Sequence, residues 1–261
     1  MISKLEGILV SKTPFKDKHF IGRLILRNGK KASVLFYGGR GSLKKKVSYV
    51  DIGHMIQVTL APYKRDPSMV QTKEWALVWA PENVRNSVKH FFLLCFFMEV
   101  VDKVAPPHDF EDEEFSDLSS EGIFRVLSNS LYMLDKNRES TFFDAPFHMF
   151  AFLGKLLLHQ GLFPLRDQCC FCGEELRFKA MVNLVASQGG FSCDSCSSLN
   201  ENKYLGGREM LRALDLVVSV AFRDFVPSKD VNKSLSWSLF DYFCYQYQLS
   251  PGSFKTVRHL G

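Results

Sequence analysis

The chain has 261 residues, 46% of them apolar, and a formal charge of +5. That length holds one large domain or two to three small ones with their own cores, and the apolar content marks a globular chain rather than a disordered one. The longest apolar run, FFLLCFFM (91–98), is too short to cross a bilayer.

Short strands fill the first 80 residues. KLEGILVSK (4–12) is apolar and extended, and FIGRLILR (20–27) is a second strand. Asn28-Gly29 in RNGK is a strong hairpin signal that predicts positive φ at both turn residues. KASVLFY (31–37) is the third strand, followed by the glycine-rich basic loop GGRGSLKKK (38–46). In HMIQVTLAP (54–62), Ile56, Val58 and Leu60 alternate with Gln57 and Thr59, so the strand is half-buried. EWALVWA (74–80) alternates Trp75, Leu77 and Trp79. Five strands without a long helix predict a small closed barrel, and the OB-fold is the common five-stranded barrel for single-stranded nucleic acid.

Pro81 marks the predicted boundary, with a barrel over 1–80 and a helical region over 81–261. PENVRNSVKHFFLLCFFMEVVDKV (81–104) has helical spacing, and APPHDFEDEEFSD (105–117) is an acidic loop. DLSSEGIFRVLSNSLYMLDKN (117–137) predicts a helix capped by Ser119 or Ser120 and interrupted early by Gly122. FDAPFHMFAFLGKLLLHQG (143–161) places Pro146 in its first turn and Gly161 at its end. REMLRALDLVVSVAFRDF (208–225) and VNKSLSWSLFDYFCYQYQ (231–248) complete the helices. The fold class is α+β: a five-stranded OB-fold barrel, then an all-helical region with an insert at about 165–200.

The insert carries Cys169-x-x-Cys172-Gly173 and, further on, Cys193-x-x-Cys196. Two such pairs match four-cysteine zinc spacing: each forms a tight knuckle with amides aimed at the sulfurs, and glycine after the second cysteine allows a left-handed turn. Such an S₄ site is closed, so it predicts one structural zinc ion rather than a catalytic one. Residues 168–200 hold few large aliphatic side chains, and metal binding would supply the missing folding energy. Cys170 is left over, while Cys95 and Cys244 lie in apolar helices as core residues. The N-terminus, MISKLEGILVSK, has no apolar signal-peptide core, which predicts a reducing, cytoplasmic setting where clustered thiols bind metal.

Charge divides the chain. Residues 1–80 hold 15 Lys/Arg against 5 Asp/Glu, a net +10, whereas residues 81–261 hold 18 against 23, a net −5. The first part therefore reads as the one that meets a polyanion. No phosphate loop, serine elbow, HExxH or paired-carboxylate motif is present, so a non-enzymatic protein is expected. The seven histidines are scattered, and EDEE (111–114) reads as a solvated loop.

EGILVSKTPFKDK (6–18), FYGGRGSLKKK (36–46), FAFLGKLLLHQGLFPLRDQCCFCGEE (150–175) and FSCDSC together resemble the RecO family of bacterial recombination mediators over nearly the whole chain. The resemblance implies a DNA-repair protein that binds single- and double-stranded DNA and anneals complementary strands. It implies binding of the C-terminal tail of single-stranded DNA-binding protein and, with RecR, loading of RecA. Three basic clusters fall on loops that border the ligand groove of an OB barrel: Lys12, Lys16 and Lys18; Arg40, Lys44, Lys45 and Lys46; Lys64 and Arg65. Of Phe36 and Tyr37, one must alternate into the barrel; Tyr37 is assigned to base stacking. Helices 81–104 and 231–248, with Arg208, Arg212 or Arg223, are the candidates for the acidic tail. The other reading is a generic OB-fold and zinc-ribbon adaptor in transcription or translation.

Overall fold

The computed structural model describes residues 4–17, 19–37, 50–61, 70–110, 118–136, 144–179, 181–196, 207–224 and 231–260. They form two compact units, one of Met1–Glu139 with Thr256–Gly261 and one of Ser140–Lys255.

In the first unit, strands β1 (Lys4–Phe15), β2 (His19–Leu26), β3 (Lys31–Phe36), β4 (Met55–Leu60) and β5 (Val70–Trp79) close a barrel in the order β1-β2-β3-β5-β4. All pairings are antiparallel except β3 with β5. This is the strand order of an OB-fold. Leu9, Phe20, Leu24, Val34, Phe36, Ile56 and Val58 fill the interior, and the Phe20 and Phe36 rings stack at 4.5 Å. The alternation expected for β4 holds, with Ile56, Val58 and Leu60 buried. In β5 it does not: the register shifts opposite Met55/Ile56 and Thr59/Leu60 break the two-residue period, and neighbouring Leu77 and Val78 are both half-exposed.

The β2–β3 hairpin also differs from its sequence reading. Only Gly29 has positive φ, at 77°. The Gly29 N–H donates to the Leu26 carbonyl at 2.8 Å and the Leu26 N–H to the Lys30 carbonyl at 2.9 Å. This is a three-residue loop with glycine at the left-handed position, the bulged alternative to a two-residue turn.

Helix α1 (Val88–Val104) begins later than 81. Asn83–Asn86 instead forms a 3₁₀ turn. Asp135 holds that turn: its Oδ1 accepts from the Asn83 and Val84 N–H groups at 2.7 and 3.2 Å. Asp135→Ala strands two amide donors and is expected to lower stability by about 1–3 kcal/mol, read as a fall in the urea midpoint. Helix α2 (Leu118–Lys136) contains Ser119, Ser120 and Gly122. Neither serine is therefore the cap, and the glycine does not break the helix. The residue before Leu118 lies outside the described residues.

Unit one is tied together electrostatically. Asp102 on α1 pairs with Arg23 of β2 at 2.8 Å and with Lys31 of β3 at 3.7 Å. The Pro106 carbonyl accepts from the Lys31 N–H at 2.7 Å, and the His108 N–H donates back to the Lys31 carbonyl at 2.8 Å. The chain after α1 thus covers a free edge of β3.

In the second unit, helix α3 (Ala145–His159) is buried on every face from Phe147 to Leu157, as a central helix must be. Asp144 caps it by accepting from the Phe147 N–H at 3.1 Å. At its end the Gly161 and Leu162 N–H groups donate to the Leu158 and Leu157 carbonyls at 3.3 and 2.9 Å, a Schellman closure. Strands β6 (Val182–Val185) and β7 (Gly190–Cys193) form a two-stranded ribbon. Helix α4 (Gly207–Ser219) buries Met210, Ala213, Leu214 and Val217. It ends six residues before the expected 225, followed by a short 3₁₀ turn over Phe222–Asp224. Helix α5 (Lys233–Gln246) packs on α3, with the Ser236 hydroxyl donating to the Pro146 carbonyl at 2.8 Å. Among the described residues no helix is long and apolar enough to cross a membrane.

Candidate metal centre and nucleic-acid interface

The first knuckle is built by backbone hydrogen bonds. The Gly173 N–H reaches the Cys169 carbonyl at 2.9 Å, and the Cys169 N–H reaches the Glu174 carbonyl at 2.8 Å. Gly173 has φ 75°, the left-handed turn expected after the second cysteine. The Cys170 N–H donates to the Phe191 carbonyl at 2.8 Å, fastening the knuckle to β7. Cys193 ends β7, and the Cys196 N–H folds back to the Cys193 carbonyl at 3.2 Å to make the second knuckle. Leu176, Val182, Leu184 and Phe191 are buried, so the module has a small apolar core of its own.

The sulfurs of Cys169, Cys172, Cys193 and Cys196 lie within 4.8 Å of one another. Those of Cys172 and Cys193 are 3.7 Å apart. A tetrahedral ion with metal–sulfur bonds of about 2.3 Å needs sulfur separations of about 3.8 Å, so the four residues fit a metal ion. Cys170 is outside the group.

The thiols also show why a cation suits this place. Burial pushes Cys169 up, but the backbone amides of Cys172, Cys193 and Phe171 outweigh it and bring the thiol down to about 6. The Cys193 N–H lies 3.3 Å from that sulfur. Burial, then hydrogen bonds from Cys172 and Cys193, push Cys196 up to about 12. Four thiols this close cannot all ionise unaided; a bound cation makes four thiolates compatible. Four sulfur ligands would leave no open position on a bound ion, an arrangement that suits a structural ion and has no place for a reacting water.

The residues assigned to DNA binding on the barrel fall into two groups. Lys18, Arg40, Lys44, Lys45, Lys46, Lys64 and Arg65 lie outside the described residues. Lys12, Lys16 and Tyr37 lie within them. Lys12 is not on the loop between the first two strands, because β1 continues to Phe15 and pairs Lys12 with Gly22. Its Nζ donates to the Val50 carbonyl at 2.9 Å and sits 4.7 Å from the centre of the Phe20 ring. Val50 is the first described residue after the basic stretch 38–49, so Lys12 fixes the point where that stretch rejoins the barrel. Lys16 occupies the turn itself, exposed and with φ 51°.

The structure decides between the two aromatics that close β3. Phe36 is in the core and Tyr37 is 41% exposed, edge-on to His19 at 4.6 Å. It also shows which cations are already neutralised. Arg23 and Lys31 face Asp102, and Arg27 Nε donates to Glu6 at 2.9 Å.

The aromatic stripes that are candidates for an acidic tail are mostly core: Leu93, Leu94, Phe96 and Phe97 of α1 and Phe240 and Phe243 of α5 are buried. Of the accompanying arginines, Arg208 and Arg212 are exposed on α4, and the side chain of Arg223 is outside what is described. Sequence reasoning misses Arg177-Phe178, an exposed cation and aromatic directly after the first knuckle. Their signal is a large aromatic residue flanked by the cations Arg177 and Lys179.

A model of the family described as "Recombination protein O C terminal" matches residues 88–255. The chain is also similar to the DNA repair protein RecO of Caldanaerobacter subterraneus subsp. tengcongensis, with 22% identity over 215 residues, covering 81% of this chain and 78% of the relative.

Proposed function

The chain belongs to the RecO family, and from that premise we propose that it is a DNA-binding mediator of recombinational repair. Membership places it in DNA repair and recombination. The finer reading is that it binds single- and double-stranded DNA, anneals complementary strands, binds the tail of single-stranded DNA-binding protein, and works with RecR to load RecA. It does so without turnover, in the cytoplasm at the nucleoid, with the barrel of 1–80 as the DNA-binding part and 81–261 as the helical part. Zinc is the ion assigned to Cys169, Cys172, Cys193 and Cys196, since four thiolates in a closed tetrahedron suit it.

One observation carries the DNA reading: a closed barrel in OB order, with Lys12, Lys16 and Tyr37 exposed and two basic segments between its strands. Annealing requires that two polyanions approach, so cations must offset phosphate repulsion while the strands stay mobile. Lysines on loops supply point charges of that kind, and stacking on Tyr37 would add roughly 1–3 kcal/mol per base.

Mixing the protein with complementary fluorescent oligonucleotides is expected to accelerate their pairing at moderate salt. A peptide with the tail sequence of single-stranded DNA-binding protein should capture the protein from solution. DNA binding with neither annealing nor capture would favour the generic adaptor and sink the mediator reading.

A further inference from the structure

Phe178 is 78% exposed, more than any other large apolar side chain among the described residues. The Arg177 guanidinium lies 5.8 Å from the centre of its ring. From α4, Arg208 Nη2 donates to the Arg177 carbonyl at 2.6 Å. Arg212 follows one helical turn later on the same outward face. The geometry is fixed from below. The Leu176 N–H donates to the Asp167 carbonyl at 2.9 Å, and Gly207 sets α4 so close to β6 that a Cβ there would collide with the Val182 carbonyl.

These three cations differ from their neighbours. Arg166 is engaged by Asp215 and Lys179 by Glu174. Among the described residues, Arg177, Arg208 and Arg212 have no carboxylate partner. Glu175 and Glu209 are the nearest acids in sequence; Glu209 lies about 100° around the helix from Arg208 and one turn from Arg212, yet among the described residues neither acid pairs with the three arginines. An anionic ligand is therefore favoured. Shape narrows its class. An acidic peptide with an apolar end needs a pocket, whereas a ring standing clear of the surface beside guanidinium planes offers faces for unpaired bases.

We propose that Arg177, Phe178, Arg208 and Arg212 form a second binding surface for single-stranded nucleic acid, on the Ser140–Lys255 unit. It rests on the DNA-binding reading above and deepens it. Annealing brings two strands to one protein, and one surface on each compact unit lets neither strand displace the other.

The test uses the full chain loaded with zinc. Two non-complementary single strands with donor and acceptor dyes report bridging by energy transfer, and anisotropy reports binding of the first strand. Metal content and circular dichroism check the fold of each variant. Arg177→Glu/Arg208→Glu/Arg212→Glu is expected to weaken bridging at least about tenfold and to lower its salt slope by about 2, while first-strand affinity changes less than about threefold. Phe178→Ala is expected to weaken bridging by base-bearing strands about tenfold and to leave abasic strands unaffected. Unchanged bridging in both variants overturns the proposal. So does intact bridging together with lost capture of an acidic, apolar-ended peptide, which would give the surface to a protein partner. A wild type that binds one strand but never bridges two sinks this inference alone; one that binds no DNA sinks the DNA reading with it.

Discussion

Cys169→Ser is expected to bind no zinc, whereas Cys170→Ser should retain one ion per chain. The two residues are adjacent, yet only the Cys169 sulfur lies in the four-sulfur group. It is also a thiol that backbone amides stabilise as thiolate. Losing it removes a ligand and leaves amides aimed at a weaker acceptor. Structural zinc contributes on the order of 10 kcal/mol to small modules, more than the small apolar core around Leu176, Leu184 and Phe191 can replace. Protease cleavage within about 165–200 should therefore appear in Cys169→Ser and in chelator-treated wild type. Cys170 uses its N–H on Phe191, which serine preserves. Equal zinc content in the two variants would show that the ligand set is wrong.

Lys44→Glu, Lys45→Glu and Lys46→Glu together are expected to cost single-stranded DNA binding more than about tenfold near 0.1 M salt, and to flatten its salt dependence. Removing one cation that neutralises a phosphate lowers the single-strand slope by about 0.7, so removing three lowers it by about 2. Three cations of the described barrel do not compensate for the reversal, since Arg23 and Lys31 face Asp102 and Arg27 faces Glu6. Unaltered affinity and slope would show that DNA does not bind along the stretch 38–46. Arg23→Glu offers a contrast: it breaks the tie to Asp102 and is expected to lower stability more than DNA affinity.

Much of the fold was legible because its signals are local. The period-two pattern of Ile56, Val58 and Leu60 needs only its own strand to be read, and the buried face of β4 follows it. Pro146 and Gly161 mark α3 for the same reason, through backbone geometry within one turn. The metal group was legible because a C-x-x-C knuckle closes on itself, and glycine at 173 belongs to that closure. Where a neighbouring strand intervened, local reading failed. Register shifts against β4 broke the alternation of β5. The hairpin at Asn28-Gly29 took a bulged loop instead of a two-residue turn.

Element types, the barrel class and the two cysteine knuckles were thus readable from sequence alone, because each rests on periods and spacings within one element or one knuckle; the family was readable through the resemblance of whole stretches. Only the tertiary structure decided that Phe36 is inside and Tyr37 outside, because burial depends on which face meets the rest of the barrel. It alone showed that Asp102 neutralises Arg23 and Lys31. It alone placed Arg208 against Arg177 beside an exposed ring. Charge pairing and burial depend on distance through space, and side chains far apart along the chain carry no common period that would reveal that they meet.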